Sequence, residues 1–215
     1  MNDLTGAAVI VDLVRSRHHP DRALAQQRIV DALDSVGERI PALLPLQPTV
    51  GDEFQGMYGS IHDALTATLL IRLSLPDDLD CRFGIGIGES RDISDGPTPI
   101  RDGSAWWSAR AAIGEAQRRE NDDEPWLRTW IDVDPGHTHL ADAAITNAYL
   151  ICRDQLLSSQ TPNSRRALLG HLLGETQHET AAALGVSQPA VSRALAKGSA
   201  TAITASTHLI RENTP

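Results

Sequence analysis

The chain has 215 residues, a net charge of −9 and 41% hydrophobic residues, a length that fits one sizeable domain or two small ones, each able to bury a core. This composition argues against wholesale disorder, and so acidic a chain against non-specific attraction to nucleic acid or anionic membrane. No stretch reaches bilayer-spanning length, because Arg72 interrupts the best apolar run. Asp3 and Asp12 make the N-terminus unlike a signal peptide. The two distant cysteines, Cys81 and Cys152, form neither a zinc pair nor a disulfide framework, so a cytoplasmic setting is expected.

Ala7-Ala-Val-Ile-Val11 is a short, β-branched apolar run and predicts a buried strand. From Asp21 to Ile40, Leu24, Ile29, Val30, Leu33, Val36 and Ile40 follow a helical period, which the prolines at 41, 45 and 48 end. Leu46 to Val50 and Gln55 to Tyr58 then read as short strands around a Gly51-Asp-Glu-Phe54 corner. Ser60 is a good cap for a second helix to Ser74, with a stripe through Ile61, Leu65, Leu69 and Leu73. Cys81 to Gly88 is the clearest strand: Phe83, Ile85 and Ile87 occupy one face, while Gly84, Gly86 and Gly88 leave the other bare. That bare face either admits a neighbouring backbone or forms the floor under a bound base. A helix from Ser104 to about Arg119 and a strand near Trp126 to Val133 complete a first unit, residues 1–134.

The order strand–helix–strand–strand–helix–strand is the ferredoxin-like βαββαβ arrangement of palm-type domains, which makes the fold class α+β. In it the end of the first strand meets the start of the third. Asp12 is therefore expected beside Asp52 and Glu53. Two carboxylates brought together from segments forty residues apart repel unless a cation lies between them, and hard oxygen ligands suit Mg²⁺ or Mn²⁺. Such ions use substrate phosphates as further ligands, which points to a nucleotide. Two alternatives stay open on these residues: Gly51-Asp-Glu-Phe54 as an ordinary hairpin corner, and Asp12 in a structural ion pair with Arg15, Arg17 or Arg82.

Residues 135–215 read as helical. The boundary falls at Asp132-Val-Asp-Pro-Gly-His137, and from Gln155 onward the charge turns mildly basic, five basic residues against three acidic. Leu140 to Ser158 is a long helix, and Thr161-Pro-Asn-Ser164 caps the next, with Gly174 at its end. Thr176-Gln-His-Glu179 has the form of a capping box, and Ala181, Gly185 and Val191 fall at the spacing of a helix-turn-helix over about 176–197. Ser187 caps its second helix, leaving Gln188, Ser192, Arg193 and Lys197 outward, where Gln and Arg reach base edges and Ser and Lys suit phosphates. The alternative is a small helical bundle that uses the same corner for packing.

Val9-Ile-Val-Asp12-Leu-Val-Arg-Ser-Arg17, Val50-Gly-Asp-Glu-Phe-Gln-Gly56, Arg82-Phe-Gly-Ile-Gly-Ile-Gly88 and Asp102-Gly-Ser-Ala-Trp-Trp-Ser-Ala-Arg110 resemble the successive motifs of the SatD family, which pairs such a domain with a C-terminal helix-turn-helix. They also resemble palm-type nucleotidyl cyclases, both class III adenylyl cyclases and diguanylate cyclase (GGDEF) domains. The resemblance implies Asp12 and Asp52 as metal ligands, with the Leu13 carbonyl helping. It also implies catalytic positions at Glu53 and Arg110, the latter facing a phosphate. Arg15, Arg17 and Arg82 are the further candidates for binding phosphate. Where adenine-selective cyclases carry a Lys and an Asn, this chain has Pro48 and Trp106, and only Gly51 precedes the hairpin acid where diguanylate cyclases have two glycines. The expected function is therefore a DNA-binding regulator, acting as a homodimer, whose palm-like unit senses a Mg²⁺–nucleoside triphosphate or dimerises on it. The alternatives are a nucleotidyl cyclase or related phosphoryl-transfer enzyme, and a catalytically inert palm scaffold.

Overall fold

A computed structural model describes residues 3–14, 21–49, 51–93, 101–134 and 140–212. Its centre is a strand buried on both faces. β1 (Leu4–Leu13) is flanked antiparallel by β3 (Glu53–Tyr58) on one side and by β4 (Cys81–Asp92) on the other. The run Ala7 to Val11 is at most 1% exposed, which explains why it is apolar throughout rather than alternating. β2 (Leu44–Pro48) forms the edge beyond β3. It begins and ends two residues earlier than its hydrophobicity suggests. Pro45 and Pro48 are tolerated there because an edge strand need not offer every N–H to a neighbour. On the far side β6 (Thr129–Val133) runs parallel to β4, and the two-residue β5 (Arg101–Asp102) pairs with the end of β4. The strand order is β2-β3-β1-β4, with β5 and β6 both on β4. The protein is α+β with a mixed sheet.

The alternation of β1 sends Val9 and Val11 into one apolar cluster and Ala8 and Ile10 into another. The first, larger cluster packs against α1 (Arg22–Gly37) and α2 (Ile61–Ser74). The second packs against α3 (Ser104–Asn121). The bare face of β4 belongs to α3: a Cβ on Gly84 or Gly86 would fall on the α3 backbone at Ala105, Ala109 and Ile113. The glycines admit a helix backbone and form no floor for a base. Trp106 turns into this core and donates to Ser90 Oγ at 2.8 Å, while its neighbour Trp107 is 64% exposed.

α2 is buried all round from Ala64 to Leu73 rather than along one stripe, because helices from the C-terminal part cover its outer side. These are α4 (Leu140–Ser158), α5 (Pro162–Leu172), α6 (Gln177–Leu184), α7 (Gln188–Leu195) and α8 (Gly198–Glu212). Leu150 and Leu157 of α4, Leu168 and Leu169 of α5, and Ile203 of α8 join the same apolar cluster as α1 and α2. Each such fully buried side chain contributes about 1.5–3 kcal/mol.

α4 also closes the sheet edge at β6. Asn147 reads the Ile131 backbone as a strand would, accepting from its N–H and donating to its carbonyl, both at 2.9 Å. One helical turn pair further on, Asp154 Oδ2 accepts the backbone N–H groups of Arg128 and Thr129, both at 2.8 Å. Its Oδ1 takes Arg153 at 2.9 Å and Arg72 at 3.2 Å. Burial alone would push the Asp154 carboxyl up, but Arg153, then Arg72 and the Arg128 N–H, outweigh it and hold the group below the ordinary aspartate range. A carboxylate with a depressed folded-state value contributes stability at neutral pH and loses it as pH falls below its unfolded value, about 3.9. Asp154→Asn, which takes the counter-charge from the fully buried Arg153 and leaves Arg72 with Asp80 alone, should lower the urea unfolding free energy at pH 7 by about 3–5 kcal/mol. The deficit should narrow in acid, and a pH-independent loss would show that charge at this position is not what matters.

Candidate functional site

The pairing register aligns three charged residues across the sheet. Asp12 lies opposite Glu53 on β3 and opposite Arg82 on β4. Residues directly opposite one another share a face, and this is the face covered by α3. Two residues of α3 answer the row. Arg110 spans Glu53 with both terminal nitrogens, one of them 2.7 Å from Oε1, and at the far end Glu120 Oε2 lies 2.5 Å from Arg82 Nη2. Arg82 Nη1 donates to Asp12 Oδ2 at 2.8 Å. Of the ion partners open to Asp12 on the sequence, Arg82 is the one it has among the described residues.

Asp52 sits one residue before Glu53, at the tip of the hairpin where Gly51 takes a φ of +76°, a conformation that favours glycine. It is near enough to act on Asp12 electrostatically, as are Glu53 and Arg110. Burial pushes the Asp12 carboxyl up, Arg82 pulls it down, and Asp52 and Glu53 push it up again, leaving it above the ordinary aspartate value. Glu53 goes the other way. Burial raises it, but the hydrogen bonds from Arg110 and from Gln55 (2.8 Å) hold it below the usual glutamate range. Among the described residues the Asp52 carboxylate has no ion pair.

The donor set is two nearby carboxylates of uneven engagement, one held by a guanidinium and one without. No group of three or more His, Cys, Asp or Glu is placed to hold a metal among the described residues. An all-protein cage is therefore not what these residues build. Two carboxylates completed by water and phosphate oxygens is the pattern Mg²⁺ uses, and the upward push that Asp52 and Glu53 exert on Asp12 is the local excess of negative charge such an ion would relieve. Leu13 is 7% exposed and continues β1 beside Cys81. Arg15 and Arg17 lie outside the described residues.

The C-terminal candidates lie well apart from this row. α6 opens with a capping box, Thr176 with Glu179, and ends on Gly185 at φ +65°. Ala181 and Val191, at 4% and 2% exposure, meet Ala167 in a small apolar cluster between α5, α6 and α7. Ser187 is the N-cap of α7 but makes no side-chain cap bond, and Gln188 Nε2 donates to Gln177 Oε1 at 2.5 Å. Arg193 and Lys197 are exposed and Ser192 is half-buried. Arg165 and Arg166 are engaged by Asp77 and Glu175.

What defines the molecule so far is an α+β chain with a mixed sheet and a charged row at one end of its central strand. The SatD family model matches residues 7–200, and the chain belongs to that family. A comparison with curated proteins finds no match. Among solved structures, two of a bacterial light-regulated adenylyl cyclase are similar. One is 10% identical, with a TM-score of 0.44, over 54% of this chain and 41% of the other. The second is 9% identical, with a TM-score of 0.40, over 52% of this chain and 71% of the other. The chain thus spans less than half the length of the first. No helix among the described residues is long and apolar enough to cross a membrane.

Glu120 had no linear signal: it is one acid in a mixed-charge helix end, and only the register of β4 under α3 makes it the partner of Arg82. Arg110, by contrast, is 54% exposed at its side chain while holding Glu53, so its pair is screened and weak. Arg110→Met should change the urea unfolding free energy by less than about 1 kcal/mol. A loss above about 2 kcal/mol would make Arg110 a structural strut rather than a residue free to serve a ligand.

Proposed function

We propose that this SatD-family chain is a DNA-binding regulator built from a ferredoxin-like, palm-type unit and a helix-turn-helix. The first unit, residues 1–134, binds a divalent cation with a nucleoside triphosphate. The second, residues 135–215, docks DNA through α6 and α7. The observation carrying the first half is the row Glu53–Asp12–Arg82 with Asp52 beside it and Arg110 above it. Asp12 and Asp52 would hold Mg²⁺ or Mn²⁺, assisted by the Leu13 carbonyl. When bound, the ion would neutralise the triphosphate's oxygens and orient them.

The chain's own residues supply the rest. Arg110, half exposed and paired among the described residues with Glu53 alone, would turn to a phosphate, and Glu53 keeps it oriented meanwhile. Arg15 and Arg17, which follow β1 in the sequence, are the further phosphate ligands in this reading. Sensing is favoured over turnover by Trp106. It stands where adenine-selective cyclases carry an Asn, and here it is buried with its N–H given to Ser90, so this position offers no free polar group to a base.

The second half is supported by the capped helix pair: a left-handed Gly185 corner, apolar contacts through Ala181 and Val191, and polar residues on the outer side of α7. Ser192 and Lys197 would contact phosphates. Gln188 would read a base edge on leaving Gln177, and Arg193 another. With five basic against three acidic residues from Gln155 onward, one copy has little electrostatic pull on DNA, so the reading requires a homodimer.

Mg²⁺ with a ribonucleoside triphosphate should raise the melting temperature of the wild type, and Asp52→Ala should abolish the rise. Equal stabilisation of both proteins would remove the metal site. Conversion of a labelled triphosphate to a new product in the same sample would move the reading from sensor to phosphoryl-transfer enzyme. On the DNA side, Arg193→Ala should weaken a cognate complex by about 1–3 kcal/mol in a gel-shift titration. An unchanged midpoint would return α7 to a packing role.

A further inference from the structure

Arg82 is shared unequally between two carboxylates. To Glu120 Oε2 it presents Nε at 3.0 Å and Nη2 at 2.5 Å, and to Asp12 it presents Nη1 alone, at 2.8 Å. The surroundings differ in the same sense. The Glu120 side chain is 11% exposed and Asp12 34%, so the double contact is sheltered and the single one borders solvent. Glu120 is itself anchored. Its Oε1 lies 3.3 Å from Arg128 Nη1, and Arg128 Nε donates to Asp80 Oδ2 at 2.6 Å. Asp80 in turn is held by Arg72 at 3.2 Å. The guanidinium of Arg82 is thus fixed from behind by a chain of paired charges, and its one loose hydrogen bond is the one to Asp12.

A positive group already sits on the carboxylate that the reading above assigns to a divalent cation. Arg82 contacts Asp12 through Oδ2 alone, and a divalent cation on the same carboxylate would lie close enough for the two positive charges to repel in a partly buried site. We propose that Arg82 is a built-in counter-ion for Asp12 that a divalent cation must displace, and that Glu120 is the positioning residue that determines how firmly Arg82 stays. This rests on the assignment of Asp12 as a ligand. The molecule then has two states. In one, Nη1 lies on Asp12. In the other, Arg82 is retained by Glu120 alone and its Nη1 faces the site, where an anionic phosphate can accept from it. Cation alone binds poorly because it must eject Arg82 with nothing to receive it. Cation together with triphosphate binds better, because the phosphate takes the released hydrogen bond.

The arrangement is testable with Mn²⁺ as the probe, its free-ion signal followed by electron paramagnetic resonance, on the full chain with and without a non-hydrolysable ribonucleoside triphosphate. Arg82→Met should bind Mn²⁺ alone about tenfold more tightly than wild type, the size of one partly screened charge contact. It should also lose the enhancement that triphosphate gives the wild type. Glu120→Gln should do the opposite to Mn²⁺ alone, weakening it, because Arg82 then has only Asp12 as a full counter-charge. Thermal melts report whether each variant folds, and the Glu120→Gln result decides the matter should Arg82→Met not fold. Mn²⁺ bound by wild type but unchanged or weaker in Arg82→Met, or unchanged or tighter in Glu120→Gln, would overturn the counter-ion while leaving the metal site standing. Binding seen only in Arg82→Met would support it. No binding to any of the three proteins would overturn the metal site and the counter-ion together.

Discussion

An acid placed at the end of a strand that is buried on both faces has to be given a positive neighbour. β1 ends at Asp12 and Leu13, enclosed between β3 and β4, and much of the architecture around the site is arranged to meet that requirement. The register that sets Arg82 opposite Asp12 also brings Gly84 and Gly86 onto the same face, and their lack of side chains lets α3 approach closely enough for Glu120 to reach Arg82 and Arg110 to reach Glu53. Removing the close approach would therefore remove both ends of the charged row. Packing and electrostatics meet in one constraint here.

The C-terminal helices are tied to that constraint by two kinds of contact. Apolar side chains of α4, α5 and α8 complete the burial of α2, and polar ones from α4, Asn147 and Asp154, finish the open edge of β6. The second contact is the more consequential for function. Asp154 holds Arg72, which holds Asp80, which meets Arg128 and through it Glu120 and Arg82. α4 and the acid row are thereby joined by continuous charge pairing through the sheet's end. Such a chain is a physical connection between the two ends.

Much of this was legible in the linear sequence where one periodicity sufficed. The β-branched run Ala7 to Val11, the glycine alternation from Gly84 to Gly88, the helix over Leu140 to Ser158 and the capped pair around Gly185 each carry their own local cause. The approach of Asp12 to Glu53 followed from strand order. Illegible features needed knowledge of what lies across from what. Arg72 reads as a break in an apolar run, yet it is 7% exposed because Asp80 and Asp154 arrive from elsewhere to neutralise it. The burial of α2 on all sides depends on helices a hundred residues later. Glu120 acquires meaning only beneath Arg82, and Arg165 and Arg166, basic on paper, are engaged by Asp77 and Glu175.

In the proposed site Asp12, at the end of β1, and Asp52, at the hairpin tip, serve one divalent ion to which Arg82 gives way. Crystals grown with Mn²⁺ and a non-hydrolysable nucleoside triphosphate would address this directly through anomalous scattering. The account predicts a peak within bonding distance of both Asp12 and Asp52, with the Arg82 guanidinium withdrawn from Asp12 and still on Glu120. A map without that peak, and with Arg82 still bonded to Asp12 in the presence of bound triphosphate, would contradict it.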